Sequence, residues 1–329
     1  MKKTSDGKKN IKAAIVVLSV VFVMSLALFL INIWEDRQGF YPEYEIAAET
    51  LRYGGQEYEL SDNISTLLVL GLDKFEGDSS ADSYNNDKQS DFLMIFIFDN
   101  DAKECSAIHI NRDTMAKINV LGVAGNKVGT VNRQIALAHT YGNGRDVSCR
   151  NAAEAVSSLL MGIKVDHYIS LNMDSVAIVN DLVGGVEVTV LDDFTGIDDT
   201  LVKGKNVTLK GSQALVYVRT RYGLEDSSNS TRMKRQQQYI NALHDKFYDC
   251  MENDEEFIIE ATLKLSDHIV SDRSVTQLQE LSRKFSEYEF LGIEQPEGRF
   301  DIVNDLVEFY PDKKSIERIV IEKFYELKK

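Results

Sequence analysis

Two groups of residues in this 329-residue chain have the types and spacing to act on an anion. The first is Asp73, Asp91 and the pair Arg112-Asp113, each at one end of a short apolar run. If the middle run is antiparallel to the outer two, all four meet at one edge of a sheet. The polar segment 74–90, with Asp78, Asp82 and Asp87, then hangs over that edge. Two carboxylates held there can share a divalent cation, and Mg²⁺ commonly takes one or two carboxylates plus substrate phosphate oxygens. The plainer reading is that aspartate ends strands because turns favour it.

The second group is Arg219, Arg221, Arg232 and Arg235, four arginines within 17 positions. Arg232 and Arg235 stand three apart, hence on one face and in the first turns of a helix. A guanidinium is a planar fork that grips phosphate oxygens bidentately, and a helix N-terminus adds aligned N–H donors. The rival reading is a solvated basic helix face. Arg219 and Arg221 lie outside that helix, which favours an anion site.

The elements that must position these groups are legible as runs and turns. Residues 66–70, 92–98 and 105–110 are apolar runs bounded by turn signals, as expected of strands buried on both faces. Helical patterns cover 132–140, 151–161, 173–182, 212–218 and 230–250, with strands at 166–171 and 186–190 and a turn at Gly184-Gly185. Residues 251–329 add two helical patterns and strands near 288–292 and 306–309. Alternating strands and helices predict an α/β layered domain. A short hairpin is expected around Gly54-Gly55.

The N-terminus carries Lys2, Lys3, Lys8, Lys9 and Lys12 against one Asp6, and residues 13–33 hold no charge. About 20 apolar residues span the roughly 30 Å of bilayer hydrocarbon. Trp34 and then Glu35, Asp36 and Arg37 close the run, so the expected orientation is N-terminus inside and the remainder outside the cell membrane. A signal peptide would have a hydrophobic core of about 7–15 residues and a small-residue cleavage site. The run is longer and Leu28-Phe29-Leu30-Ile31 is no such site, so an uncleaved anchor is expected. Net charge is −15, and removing the leader's +4 leaves −19. So acidic a body excludes nucleic acid as the main ligand. Cys105, Cys149 and Cys250 are far apart and odd in number, which predicts isolated thiols. No G-x-S-x-G, H-E-x-x-H or P-loop occurs, and the five histidines lack zinc spacing. His139, beside a Tyr-Gly turn, reads as a supporting residue.

Taken in order, Asp73, Ser90-Asp91, Asn111-Arg112-Asp113, Leu182-Val183-Gly184-Gly185-Val186, the run Gly211–Arg221 and Arg232-x-x-Arg235-Gln236 resemble the LytR-CpsA-Psr family from about Thr66 to about Tyr248. The resemblance implies an extracytoplasmic phosphotransferase. Such enzymes move a teichoic acid, capsule or related glycan from a polyprenyl diphosphate carrier to peptidoglycan. It implies an α/β/α sandwich around a mixed sheet with a greasy pocket for the prenyl tail. It makes Asp73 and Asp91 ligands of Mg²⁺ and Arg112, Arg219, Arg221, Arg232 and Arg235 binders of the diphosphate, with Asp91, Asp73 and Arg112 catalytic. Asp113 is expected to hold Arg112. The implied organisation is a basic tail (1–12), an anchor (13–33), a membrane-proximal connector (34–64), a catalytic domain (65–250) and a C-terminal α/β portion (251–329) packed on the same domain.

This sequence departs from the family pattern in three places. Gln89 stands where the family usually has arginine, removing a phosphate contact. Asn111 replaces a proline and gives up a stiff turn. The family's later lysine has no clear counterpart, Lys127 being displaced in spacing. Two rivals follow: an anchored protein that binds polyprenyl phosphate without turnover, and a lipid diphosphate hydrolase.

Overall fold

The computed structural model describes residues 46–73, 88–224, 228–254 and 256–328. The expected tail and anchor, the connector as far as residue 45, and Asp78, Asp82 and Asp87 lie outside the described residues. Among the described residues no helix is long and apolar enough to cross a membrane.

The strands in chain order are β1 (Thr50–Tyr53), β2 (Gln56–Leu60), β3 (Ile64–Leu72), β4 (Ser90–Asp99), β5 (Glu104–Ile110), β6 (Met115–Leu121), β7 (Lys127–Gln134), β8 (His167–Asn172), β9 (Val186–Thr189), β10 (Asn206–Leu209), β11 (Ile269–Ser271), β12 (Glu289–Glu294), β13 (Gly298–Val303), β14 (Leu306–Pro311) and β15 (Tyr325–Leu327). The helices are α1 (Asp146–Leu159), α2 (Asp174–Leu182), α3 (Ser212–Arg219), α4 (Asn229–Asn253), α5 (Phe257–Leu265), α6 (Val275–Phe285) and α7 (Lys313–Phe324).

Six strands form the central sheet in the order β11-β8-β3-β4-β5-β12. It is mixed: β4 is antiparallel to both β3 and β5, whereas β3–β8 and β5–β12 are parallel. The antiparallel setting required by the sequence argument is therefore present, and the end of β3, the start of β4 and the end of β5 share one edge. Side chains alternate across the sheet. Leu68, Leu70, Leu93, Ile95, Ile108 and Ile110 pack with α1 and α7 in the main core. Val69 and Phe92 face the other way, toward α2 and α4.

Several sequence expectations need correction. Residues 127–134 are strand β7, paired with β6, and only Ile135–Thr140 is helical, as a 3₁₀ turn. Alternation of exposed and half-buried residues along β7 has period two, which a helical reading of 132–140 missed. Helix α1 begins earlier than expected, at Asp146, straight after the Asn143-Gly144 turn, where the Gly144 N–H donates to Ser148 Oγ at 2.8 Å. The hairpin expected at Gly54-Gly55 is formed by β1 and β2, and β2 also pairs with β15, a pairing the sequence reading did not foresee. The C-terminal portion packs on the same domain, as expected: β11 and β12 join the central sheet and α7 the main core. All three cysteines are free thiols.

Candidate active site

Asp73 follows β3 directly, Asp91 is the second residue of β4, and Arg112 lies two residues past β5. The Arg112 guanidinium donates to Asp91 Oδ1 and to Gln89 Oε1. Asp113 stands behind it, 3.7 Å from Arg112 Nε. Asn111 restores by side chain the turn that a proline would supply through its ring. Its Oδ1 accepts from the Asp113 N–H at 2.9 Å, an Asx turn, and from Asn229 Nδ2 at 2.8 Å. Asn229 in turn accepts from Arg232 at 2.5 Å, so the β5 end and the first turn of α4 are one network. Asn229 was not singled out in the sequence, where it reads as an ordinary helix-start residue. His139 holds the facing segment through a 2.9 Å contact of Nδ1 with the Lys88 carbonyl. Burial pushes its pKa down to about 4, so the ring is neutral at pH 7 and Nδ1 donates to that carbonyl.

The arginines fall into two sets. Arg219 is half exposed and pairs with Asp73 Oδ2 at 3.2 Å. Arg232 is almost buried and also reaches the Asp91 carbonyl at 3.4 Å. Burial, and then repulsion from Arg221, pull Arg232 down to about 10, and burial likewise lowers Arg112. Both remain charged at pH 7, but as desolvated cations that repel one another. An anion with several oxygens is what would relieve them. Arg221 acts on Arg112, Arg232 and Asp113 through its field, and its guanidinium lies over the Tyr222 ring at 5.0 Å.

Arg235 does not join them. It is fully buried, donates to the Tyr217 and Thr220 carbonyls, and stands 2.8 Å from Asp192 Oδ2 in an off-axis ion pair. Gln236 Nε2 donates to the Val218 carbonyl at 3.2 Å. Arg235 and Gln236 thus strap down the C-terminal end of α3 and the residue after it, the segment that presents Arg219 and Arg221. Spacing in sequence put Arg232 and Arg235 on one helix face. Both are buried, and only the packing of α3 separates Arg235, turned to Tyr217, Thr220 and Asp192, from Arg232, turned to Asn229 and Asp91.

An apolar pocket of about 140 Å³ opens beside this edge. Val69 and Phe92 of the sheet, Val176 and Val179 of α2, and Tyr239 and Ile240 of α4 line it, with Val218 and Gln236 next to the arginines. A second apolar pocket, about 250 Å³, continues along β3 and α4 from Leu67 to Phe247 and Met251. The α2–β9 turn is held by glycines: Gly185 has φ +100°, and a Cβ there would lie 2.8 Å from the Leu209 carbonyl oxygen.

Comparison with known proteins places this arrangement. The sequence model of the LytR_cpsA_psr family matches residues 44–321. The chain belongs to the LytR-CpsA-Psr family. It is 26% identical over 241 residues to the polyisoprenyl-teichoic acid–peptidoglycan teichoic acid transferase TagU of Bacillus licheniformis, covering 73% of this chain and 71% of TagU. Its fold is similar to that of B. subtilis TagV, with a TM-score of 0.59 at 22% identity over 80% of this chain and 98% of TagV. It is equally similar to a structure of TagT bound to LIIa-WTA, with a TM-score of 0.59 at 22% identity, covering 79% and 89% of the two chains. At these identities the solved structures establish a shared mixed α/β fold. The family match extends past residue 250, in keeping with the strands that the C-terminal portion adds to the sheet.

Proposed function

We propose that this protein is an anchored extracytoplasmic phosphotransferase that moves a glycopolymer from a polyprenyl diphosphate carrier to peptidoglycan. The observation that carries the reading is the juxtaposition of Arg112, Arg219 and Arg232 with an apolar pocket opening beside them. A polyprenyl diphosphate has that same division, a charged head on a long apolar tail. The two pockets along β3 and α4 give the tail room to run away from the edge. Family membership and the similarity to TagU support a cell-wall glycopolymer as the cargo.

In this reading Arg112, Arg219, Arg221 and Arg232 hold the diphosphate, while Arg235 positions Arg219 and Arg221 from behind. An acceptor hydroxyl attacks the glycan-side phosphorus, and a new P–O bond forms as the bond to the polyprenyl phosphate breaks. The leaving group departs with the electron pair, and its added charge falls on the arginines. Asp91, paired with Arg112, is placed to orient the hydroxyl and accept its proton.

The residues present fit Mg²⁺. Asp73 Oδ1 is buried with no hydrogen-bond partner among the described residues, while Oδ2 faces Arg219. Among the described residues no cluster of three or more metal-ligating side chains occurs. An ion there would be held by Asp73 and Asp91 and completed by substrate oxygens. When bound, it supplies charge neutralisation at the phosphates.

One observation favours the reading of binding without turnover: both terminal nitrogens of Arg112 are engaged, one by Gln89. The test is to incubate the full chain in detergent with a defined lipid-diphosphate glycan, Mg²⁺ and a muropeptide acceptor. A glycan–phosphate–muropeptide product is expected. Free glycan phosphate alone would make the protein a hydrolase, and binding without product would make it a carrier or sensor.

A further inference from the structure

A second kind of cavity adjoins the arginine edge from the other side. It lies between the β13–β14 hairpin, the end of β5 and the first turns of α4, with a volume of about 360 Å³. That is within the range of roughly 300–1,000 Å³ typical of small-molecule sites. Its lining is mixed, unlike that of the apolar pockets: His109, Asn111, Ser230 and Gln295 provide polar groups, and Phe300 and Phe309 provide ring faces. His109 is 1% exposed and its Nδ1 has no hydrogen-bond partner within the described residues. A buried polar atom without a partner is costly unless something supplies one.

The placement of this cavity is tied to the edge by direct bonds. Asn111, in its wall, immediately precedes Arg112 and is bonded to Asn229, which holds Arg232. Ser230 and Met233 flank Arg232 on α4. The hairpin is fixed to the same loop, since the Phe309 N–H donates to the Asp113 carbonyl at 2.8 Å and Gln134 bridges Asp113 to the Val307 carbonyl. Phe92 lines the apolar pocket and His109 the mixed cavity, and their rings are in contact at 5.0 Å between centroids. The edge therefore borders an apolar compartment and a polar-aromatic one, with the Phe92–His109 pair between them.

We infer that the mixed cavity beneath the β13–β14 hairpin is a saccharide subsite that takes a pyranose unit next to the diphosphate. Amide, hydroxyl and imidazole groups match ring hydroxyls, and Phe300 and Phe309 offer flat faces to the C–H face of a sugar. A prenyl chain would leave these polar groups unpaired, and a phosphate would find no arginine among the lining residues. The inference rests on the transferase reading for the neighbouring edge. Two sources share this chemistry, the glycan of the donor and the glycan strand of the acceptor.

The test uses the full chain in detergent and its Gln295→Ala and Phe300→Ala variants, both altered at exposed positions of the lining. Calorimetric titration would compare three probes: farnesyl diphosphate, a farnesyl-diphosphate-linked disaccharide, and a disaccharide-peptide muropeptide. Farnesyl diphosphate should bind all three proteins alike. A loss of about tenfold or more for the sugar-bearing donor alone assigns the cavity to the donor glycan. The same loss for the muropeptide alone assigns it to the acceptor. Unchanged affinity for both saccharides in both variants overturns the inference, even if transfer itself proceeds. Loss of saccharide binding in a protein that never yields product would instead sustain the subsite and refute the transferase reading.

Discussion

Replacing Arg235 should damage the fold first and the chemistry second, whereas replacing Arg219 should do the reverse. Arg235 is fully buried beside the stacked Phe194 and Tyr217 rings, at 5.4 and 5.9 Å from their centroids. It donates to two backbone carbonyls and neutralises Asp192, which is nearly buried. Removing one partner of such a pair costs about 3–5 kcal/mol, because the other charge is left uncompensated. Arg235→Met keeps most of the volume and should lose that amount, a large part of the roughly 5–15 kcal/mol typical of a domain. Adding Asp192→Leu removes the orphaned carboxylate, and about 2 kcal/mol should return; the carbonyls of Tyr217 and Thr220 stay unpaired, so recovery is incomplete. Arg219 is half exposed, and its ion pair with Asp73 is worth about 0–1 kcal/mol. Urea denaturation followed by far-ultraviolet circular dichroism measures all three variants against the parent. An Arg235→Met protein within about 1 kcal/mol of the parent, or a double variant no more stable than the single one, would refute the assignment of Arg235 as a buried strap.

Arg219→Ala and Asp91→Ala should each lower transfer of a lipid-linked glycan by about 10²–10³-fold, the usual effect of losing one transition-state contact, with far-ultraviolet spectra unchanged. Gln89→Arg should tighten binding of a prenyl diphosphate about tenfold in calorimetry and steepen its salt dependence, since a charge-assisted contact replaces a neutral amide. Stability should fall as pH drops from 7 to 5: the unfolded chain protonates His139 near 6.5, the folded one only near 4, so the unfolded state takes up the proton first. The contribution lost is about 2 kcal/mol at pH 5, and His139→Asn should flatten that part of a urea-midpoint profile. Gly185→Ala should cost about 1–3 kcal/mol in the same assay, because both its positive φ and the Leu209 carbonyl oppose a side chain.

What the sequence reveals of this fold depends on whether a signal is local. Strands β3, β4 and β5 were legible because each is an apolar run closed by turn residues, and their antiparallel setting was the arrangement that made sense of Asp73, Asp91 and Arg112. The β6–β7 hairpin was not legible, since Lys127–Gln134 is mostly polar and half solvated, leaving only a weak alternation to read. The long-range pairings were equally hidden. Nothing local in Tyr325–Leu327 points to β2, more than 260 residues earlier, although that pairing ties the β1–β2 hairpin to the C-terminal end of the described chain. At the site, residue type was informative and partnership was not. Arg232 and Arg235 look equivalent three residues apart and both are buried; their partners distinguish them, Asn229 and Asp91 for the first and Tyr217, Thr220 and Asp192 for the second. Asn111 read as a lost proline, yet its side chain supplies the turn and binds the helix that carries Arg232.

The most direct test of the account is a crystal structure of the chain with a polyprenyl diphosphate. The diphosphate should sit against Arg112, Arg219 and Arg232, with the first isoprene units over Phe92 and between α2 and α4. A diphosphate bound elsewhere, or a tail lying outside the pocket lined by Val176 and Tyr239, would contradict the assignment of this edge as the site of transfer.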